Sequence, residues 1–123
     1  MSEPKEQLQL VAGKLGIGNY HRHVFLCTGP SCCTPEQGQA AWEVLKQQIK
    51  ERNLGTGPNA CYRTKVGCLR ICCHGPTLVV YPEGTWYHGM TAEQIPHFVR
   101  QHLLEGRPVQ EWIFANNRLP NEE

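Results

Sequence analysis

Seven cysteines in a chain of 123 residues carry its chemistry, and their spacing sorts them. Cys68 and Cys72 stand in Val66-Gly67-Cys68-Leu69-Arg70-Ile71-Cys72-Cys73-His74-Gly75-Pro76, a short turn immediately before the apolar run Thr77 to Tyr81. Cys27 and Cys32 lie far upstream, at the end of another apolar run, His23-Val24-Phe25-Leu26. Two soft ligands held that close can grip one metal atom. Four thiolates offered by two separated loops suit an iron–sulfur cluster.

Other uses of cysteine fit less well. A reactive dithiol wants C-x2-C, where one thiol at a helix start attacks and its neighbour resolves, and no pair here has that spacing. Structural zinc takes C-x2-4-C, which Cys27-x4-Cys32 and Cys68-x3-Cys72 satisfy, so a zinc-binding interaction module stays open as an alternative. Free cysteines packing as small hydrophobes account for one or two of the seven, not for two pairs that each border a strand-like run. The six histidines are scattered without ligand spacing, and there is no P-loop and no paired carboxylates beside a motif. Nothing in the chain reads as catalytic.

The length supports one domain with a real core, and a formal net charge of +1 argues against a nucleic-acid surface or a polybasic membrane patch. No window approaches the roughly 18 apolar residues of a membrane span. The opening Met1-Ser2-Glu3-Pro4-Lys5-Glu6-Gln7 lacks the apolar stretch of a signal peptide, so the expected compartment is the cytoplasm, where thiols stay reduced.

The elements that must position the cysteines follow from periodicity. Leu8, Val11 and Leu15 predict a short amphipathic helix within an N-terminal extension, 1–20, expected to cover apolar surface. The run to Leu26 is a strand feeding the first cysteine loop. Thr34-Pro35-Glu36-Gln37 is a capping box opening a helix of about five turns that ends near Asn53, its buried stripe Ala40, Ala41, Val44, Leu45 and Ile49. Ala60 to Val66 is a second strand, parallel to the first, entering the second cysteine loop. Thr77 to Tyr81 and Thr85 to Tyr87 flank Pro82-Glu83-Gly84 as a hairpin. Thr91-Ala92-Glu93-Gln94 is a second capping box, followed by a helix with Ile95, Phe98, Val99, His102 and Leu103 on its inner face. Trp112-Ile113-Phe114 is an ordered apolar patch before a polar tail, 116–123. The order β-α-β-β-β-α, α/β (α+β) with a four-stranded mixed sheet, is that of a thioredoxin-like fold over residues 21–115, with the cysteine loops at one end.

Gly67-Cys68-Leu69-Arg70-Ile71-Cys72 through Gly75-Pro76-Thr77-Leu78-Val79-Val80-Tyr81-Pro82-Glu83-Gly84-Thr85-Trp86-Tyr87 resembles the second half of the thioredoxin-like [2Fe-2S] ferredoxins. That family includes small bacterial ferredoxins and the small iron–sulfur subunit of respiratory NADH dehydrogenase and of related hydrogenases. The resemblance spans residues 22 to 114. It implies a one-electron carrier, not an enzyme, whose [2Fe-2S] cluster is held by Cys27, one of Cys32 and Cys33, Cys68 and Cys72. The alternative it leaves is a non-catalytic subunit of a flavin or hydrogenase complex. The x4 spacing of the respiratory subunits and the helix cap directly after Cys33 favour Cys32. Cys61 and Cys73 are expected to be non-ligands. The resemblance further implies a redox protein partner and a homodimer or a place in a larger complex. Arg63, Lys65 and Arg70, with no acid between Asn59 and Pro76, predict a basic cluster end.

Overall fold

The computed structural model describes residues 3–57 and 59–120. Met1 and Ser2 of the N-terminal extension, Pro58 of the helix stop and residues 121–123 of the polar tail lie outside the described residues. In chain order the elements are α1 (Glu3–Leu15), β1 (Arg22–Cys27), α2 (Pro35–Glu51), β2 (Cys61–Val66), β3 (Leu78–Tyr81), β4 (Thr85–Tyr87), α3 (Ile95–Phe98, continued by a π-helical turn over Val99–Leu104) and β5 (Ile113–Asn116).

The strands form one sheet in the order β2-β1-β3-β4-β5. β1 and β2 are parallel, linked by α2 as a crossover, and the other pairs are antiparallel. This extends the expected four strands by one. Residues 113–116 have little alternation of their own, but Trp86 and Tyr87 present the open side of β4, and pairing there satisfies backbone groups that a terminal coil would leave to water.

The core lies between the sheet and α2 and α3. Val24, Leu26, Leu78, Val80 and Tyr87 on one sheet face meet Ala41, Leu45, Phe98, Val99 and Leu103, all essentially inaccessible. Truncating one such large side chain to alanine costs about 2–5 kcal/mol. α2 starts as its sequence dictates: the Thr34 hydroxyl accepts from the Gln37 amide, the Gln37 side chain accepts from the Thr34 amide, and Pro35 occupies the first turn. α3 does not. Thr91 to Gln94 form a turn in which the Gln94 and Ile95 amides donate to the Thr91 carbonyl, and no side chain caps the helix. The expected second capping box is therefore absent, because the turn already satisfies those amides through backbone.

α1 forms where periodicity places it but buries none of its residues; Leu8 and Leu10 are each 68% exposed. The expected cover over apolar surface is not made within one chain. Gly16 and Gly18, both at positive φ, turn the chain away between α1 and β1. The sheet face opposite the core carries half-buried His23, Phe25, Tyr62 and Trp86, with Tyr20 stacked on Tyr62 at 5.0 Å and Trp86 edge-on to Phe114.

The end of the sheet remote from the cysteines is held by a polar network. Arg22 at the start of β1 donates to Glu83 in the β3–β4 turn at 2.7 Å, and His102, fully buried, lies 3.2 Å from the same carboxylate and 2.7 Å from the Tyr87 hydroxyl. The hydroxyl also accepts from the Val109 amide. Burial by itself would raise the Glu83 pKa, but its bonds to His102 and Arg22 outweigh that and bring it down to about 2.

Candidate functional site

Parallel pairing decides where the cysteine loops go. Because Cys27 ends β1 opposite Val66 at the end of β2, both chains leave the sheet at the same edge, and β3 enters there at Leu78. The loops are then stitched together: the Cys27 amide donates to the Thr77 carbonyl (2.8 Å), the Thr28 amide to Val66 (2.9 Å) and the Gly75 amide to Cys32 (2.8 Å).

The sulfurs fall into two groups. Cys27 and Cys32 are buried, with their sulfurs 2.8 Å apart, and the Cys27 thiol points toward the Gly67 carbonyl of the second loop at 3.9 Å. Cys68 and Cys72 are exposed and interact with each other, and Cys72 is also within electrostatic reach of Cys27. All seven cysteines are unlinked. Cys33 is buried beside Cys32, sulfur to sulfur 3.8 Å, while Cys61 is buried at the start of β2 in the main core and Cys73 is exposed. The sequence thus identifies the two pairs that meet, and Cys61 stands apart from them.

Backbone amides aim at these sulfurs, a feature the cysteine spacing alone does not reveal. The Arg70 amide donates to the Cys68 sulfur at 3.2 Å, and Arg70 itself takes the left-handed conformation, φ 72°. The Gly29 and Leu69 amides lie close enough to the Cys27 sulfur to oppose the rise in its pKa, and the Gly38 amide, which donates to the Thr34 carbonyl at 3.0 Å, acts in the same sense on Cys33. Gly29 is the one visible signal: its φ of 90° is needed for the turn that offers its amide.

Without a bound cation, burial makes the inner thiols poor acids. Desolvation raises the pKa of Cys27, with the Cys32 bond adding to it, and desolvation likewise raises that of Cys33. Burial in the core raises Cys61 to about 11. For the exposed Cys72 the cause is different: its bond to Cys68, then the charge of that neighbour, raises the pKa. Thiols crowded together in this way give up their protons together only when a positive centre binds them.

The residues present fit a group held by four thiolates: the cysteines come as two pairs on two loops, with an amide donor directed at the Cys68 sulfur. His74, exposed at φ 54°, directs its carbonyl to the Gly89 amide. It shares an apolar hollow with Ile71, Cys73, His88 and Phe114 beside the second loop.

Known proteins resemble this chain in sequence and fold. No family model matches the chain. A 2Fe-2S ferredoxin of Aquifex aeolicus is 30% identical over 104 residues, covering 80% of this chain and 94% of that protein. A 2Fe-2S ferredoxin of Clostridium pasteurianum is 30% identical over 96 residues, 75% and 94% of the two chains. The solved thioredoxin-like [2Fe-2S] ferredoxin from Aquifex aeolicus superposes with a TM-score of 0.67 at 25% identity, over 85% of this chain and 99% of its own. A cysteine-to-serine variant of that ferredoxin gives 0.68 over 77% and 99%. With curated relatives 30% identical and matched over 94% of their own length, the chain belongs to the thioredoxin-like [2Fe-2S] ferredoxins.

Proposed function

We propose that this protein is a one-electron carrier, with Cys27, Cys32, Cys68 and Cys72 as the ligands of a [2Fe-2S] cluster and residues 21–115 as the carrier domain. The observation that carries the reading is the meeting of the two cysteine pairs, one buried and one exposed, at one end of the sheet. When bound, the cluster accepts and releases a single electron, spread over its two irons and their sulfurs.

The protein's own contribution is a rigid, asymmetric seat. The buried pair is fixed by β1 and by the bonds from Gly75 and Thr77, so little has to move when the charge changes. Amides of Gly29, Leu69 and Arg70 lower the cost of negative charge on sulfur and stabilise the reduced form more than the oxidised one. The exposed pair places the other side of the site at the surface, where a partner's redox centre can approach. Among the described residues no helix is long and apolar enough to cross a membrane, and reduced thiols are consistent with a cytoplasmic setting.

The carrier passes its electron to a redox protein, and we place it in a homodimer or in a larger complex. The unburied apolar side of α1 and the aromatic sheet face opposite the core support that reading. The deciding experiment is spectroscopic. Visible absorption bands that bleach with dithionite, with two irons and one electron per chain, are expected. A colourless protein purified with stoichiometric zinc would remove the carrier reading.

A further inference from the structure

We propose that Gly75 is the positioning residue that seats Cys32, and not Cys33, at the cluster, an inference that rests on the ligand reading above. Two glycines flank the Cys68–Cys72 loop, and they differ in kind. A Cβ on Gly67 would meet nothing within 4 Å. A Cβ on Gly75 would lie 2.8 Å from the Cys32 Cβ, 2.8 Å from its carbonyl oxygen and 2.9 Å from its sulfur. Gly75 is not among the glycines at positive φ, so backbone freedom does not explain it. Space does: the Cys32 side chain lies where a side chain of residue 75 would be.

The amide of the same residue holds the Cys32 carbonyl at 2.8 Å, so one glycine fixes both the backbone and the side chain of that cysteine. Cys33 is handled by other groups. A Cβ on Gly29 would lie 2.5 Å from its carbonyl oxygen and 3.4 Å from its sulfur, so Gly29, not Gly75, is the glycine packed against it. The strap carrying Gly75 cannot retreat to admit a methyl group. On one side the Cys27 amide is bonded to Thr77; on the other, the amides of Gly89 and Met90 are bonded to the carbonyls of His74 and Pro76. A methyl group at residue 75 must therefore displace Cys32.

The test compares Gly75→Ala with Gly55→Ala, a glycine in open space outside both cysteine loops. In the metal-free protein, iodoacetamide labelling read by peptide mass is expected to reach Cys32 about tenfold faster in Gly75→Ala, because a disturbed seat opens more often. After reconstitution, that variant should hold less iron and show altered visible circular dichroism and midpoint potential, and Gly55→Ala should match wild type. A loaded wild type whose Gly75→Ala form matches it in labelling, spectrum and potential overturns the assignment to Gly75 alone. A wild type that takes up no iron and sulfide overturns the cluster reading, and the seating of a ligand with it. Should Gly75→Ala not fold, hydrogen exchange in the wild-type protein decides. A protected Gly75 amide supports the seat, and exchange at the rate of an unstructured peptide overturns it.

Discussion

Each cysteine's surroundings suit a different part, and the differences are measurable one residue at a time. Cys32 faces Cys27 and is gripped by Gly75, whereas Cys33 turns its sulfur toward the first turn of α2. Cys32→Ser is expected to abolish or reshape the cluster spectrum, and Cys33→Ser to leave it near wild type; the reverse pattern would exchange the two assignments. Cys61, raised to about 11 by burial and remote from both loops, should resist alkylation at pH 8, and Cys61→Ser should keep the full iron content. Cys73→Ser should keep it too, since that exposed thiol neighbours Cys72 and consecutive side chains diverge. The pairs were legible in the sequence because ligand spacing is local. The amides that serve them were not. A donor such as Arg70 N–H is aimed by the loop backbone of Cys68 and Leu69, which no residue type there announces.

Elements were readable wherever one short stretch determines them. The box at Thr34 to Gln37 closes within four residues, and the stripe of α2 holds at Ala41, Leu45 and Ile49, although Ala40 is exposed and Trp42 is buried in its stead. Removing the Thr34 hydroxyl, as in Thr34→Ala, should cost about 1 kcal/mol in thermal or denaturant unfolding. β5 was not readable, since its pairing with β4 is long-range and its own residues alternate weakly. The capping box at Thr91 failed for a related reason: the side chains are correct, but the backbone turn supplies the bonds instead. α1 is the opposite case, a helix legible in the sequence with a packing role that one chain does not provide. Deleting residues 3–15 should leave the melting temperature of a dilute, monomeric sample within about 2 °C of wild type, because no side chain of the helix is buried. A large drop would mean that α1 packs on something, and sedimentation before and after deletion would show whether a second copy provides it.

At the scale of the whole molecule, the two ends of the sheet do different work. The remote end is tied by Glu83, which joins β1 through Arg22 to the helix through His102. Its pKa near 2 lies below the ordinary 4.5, so its contribution is fully present above pH 4.5 and is lost as the pH falls through that range toward 2. Because the carboxylate is partly solvated, that contribution is about 1–2 kcal/mol after screening. Metal-free wild type should lose melting temperature between pH 5 and 3 more steeply than Glu83→Gln. The cluster end is instead open and cationic. Between Asn59 and Pro76 the charges are Arg63, Lys65 and Arg70, with no acid, and the first cysteine loop has none of either sign. Arg63 lies over the Trp42 ring at 5.3 Å, which leaves Arg70 as the cation on the cysteine turn itself; an acidic partner surface there is expected to give a rate that falls as salt rises. Arg70 is the residue to reverse, being exposed on the turn between Cys68 and Cys72. A cation there stabilises the more negative, reduced state, so Arg70→Glu should lower the midpoint potential by on the order of tens of millivolts. It should also weaken the salt dependence of electron transfer to the native partner. If neither quantity moves, the docking face lies elsewhere on the molecule, and the carrier assignment, which rests on the four thiolates, is untouched.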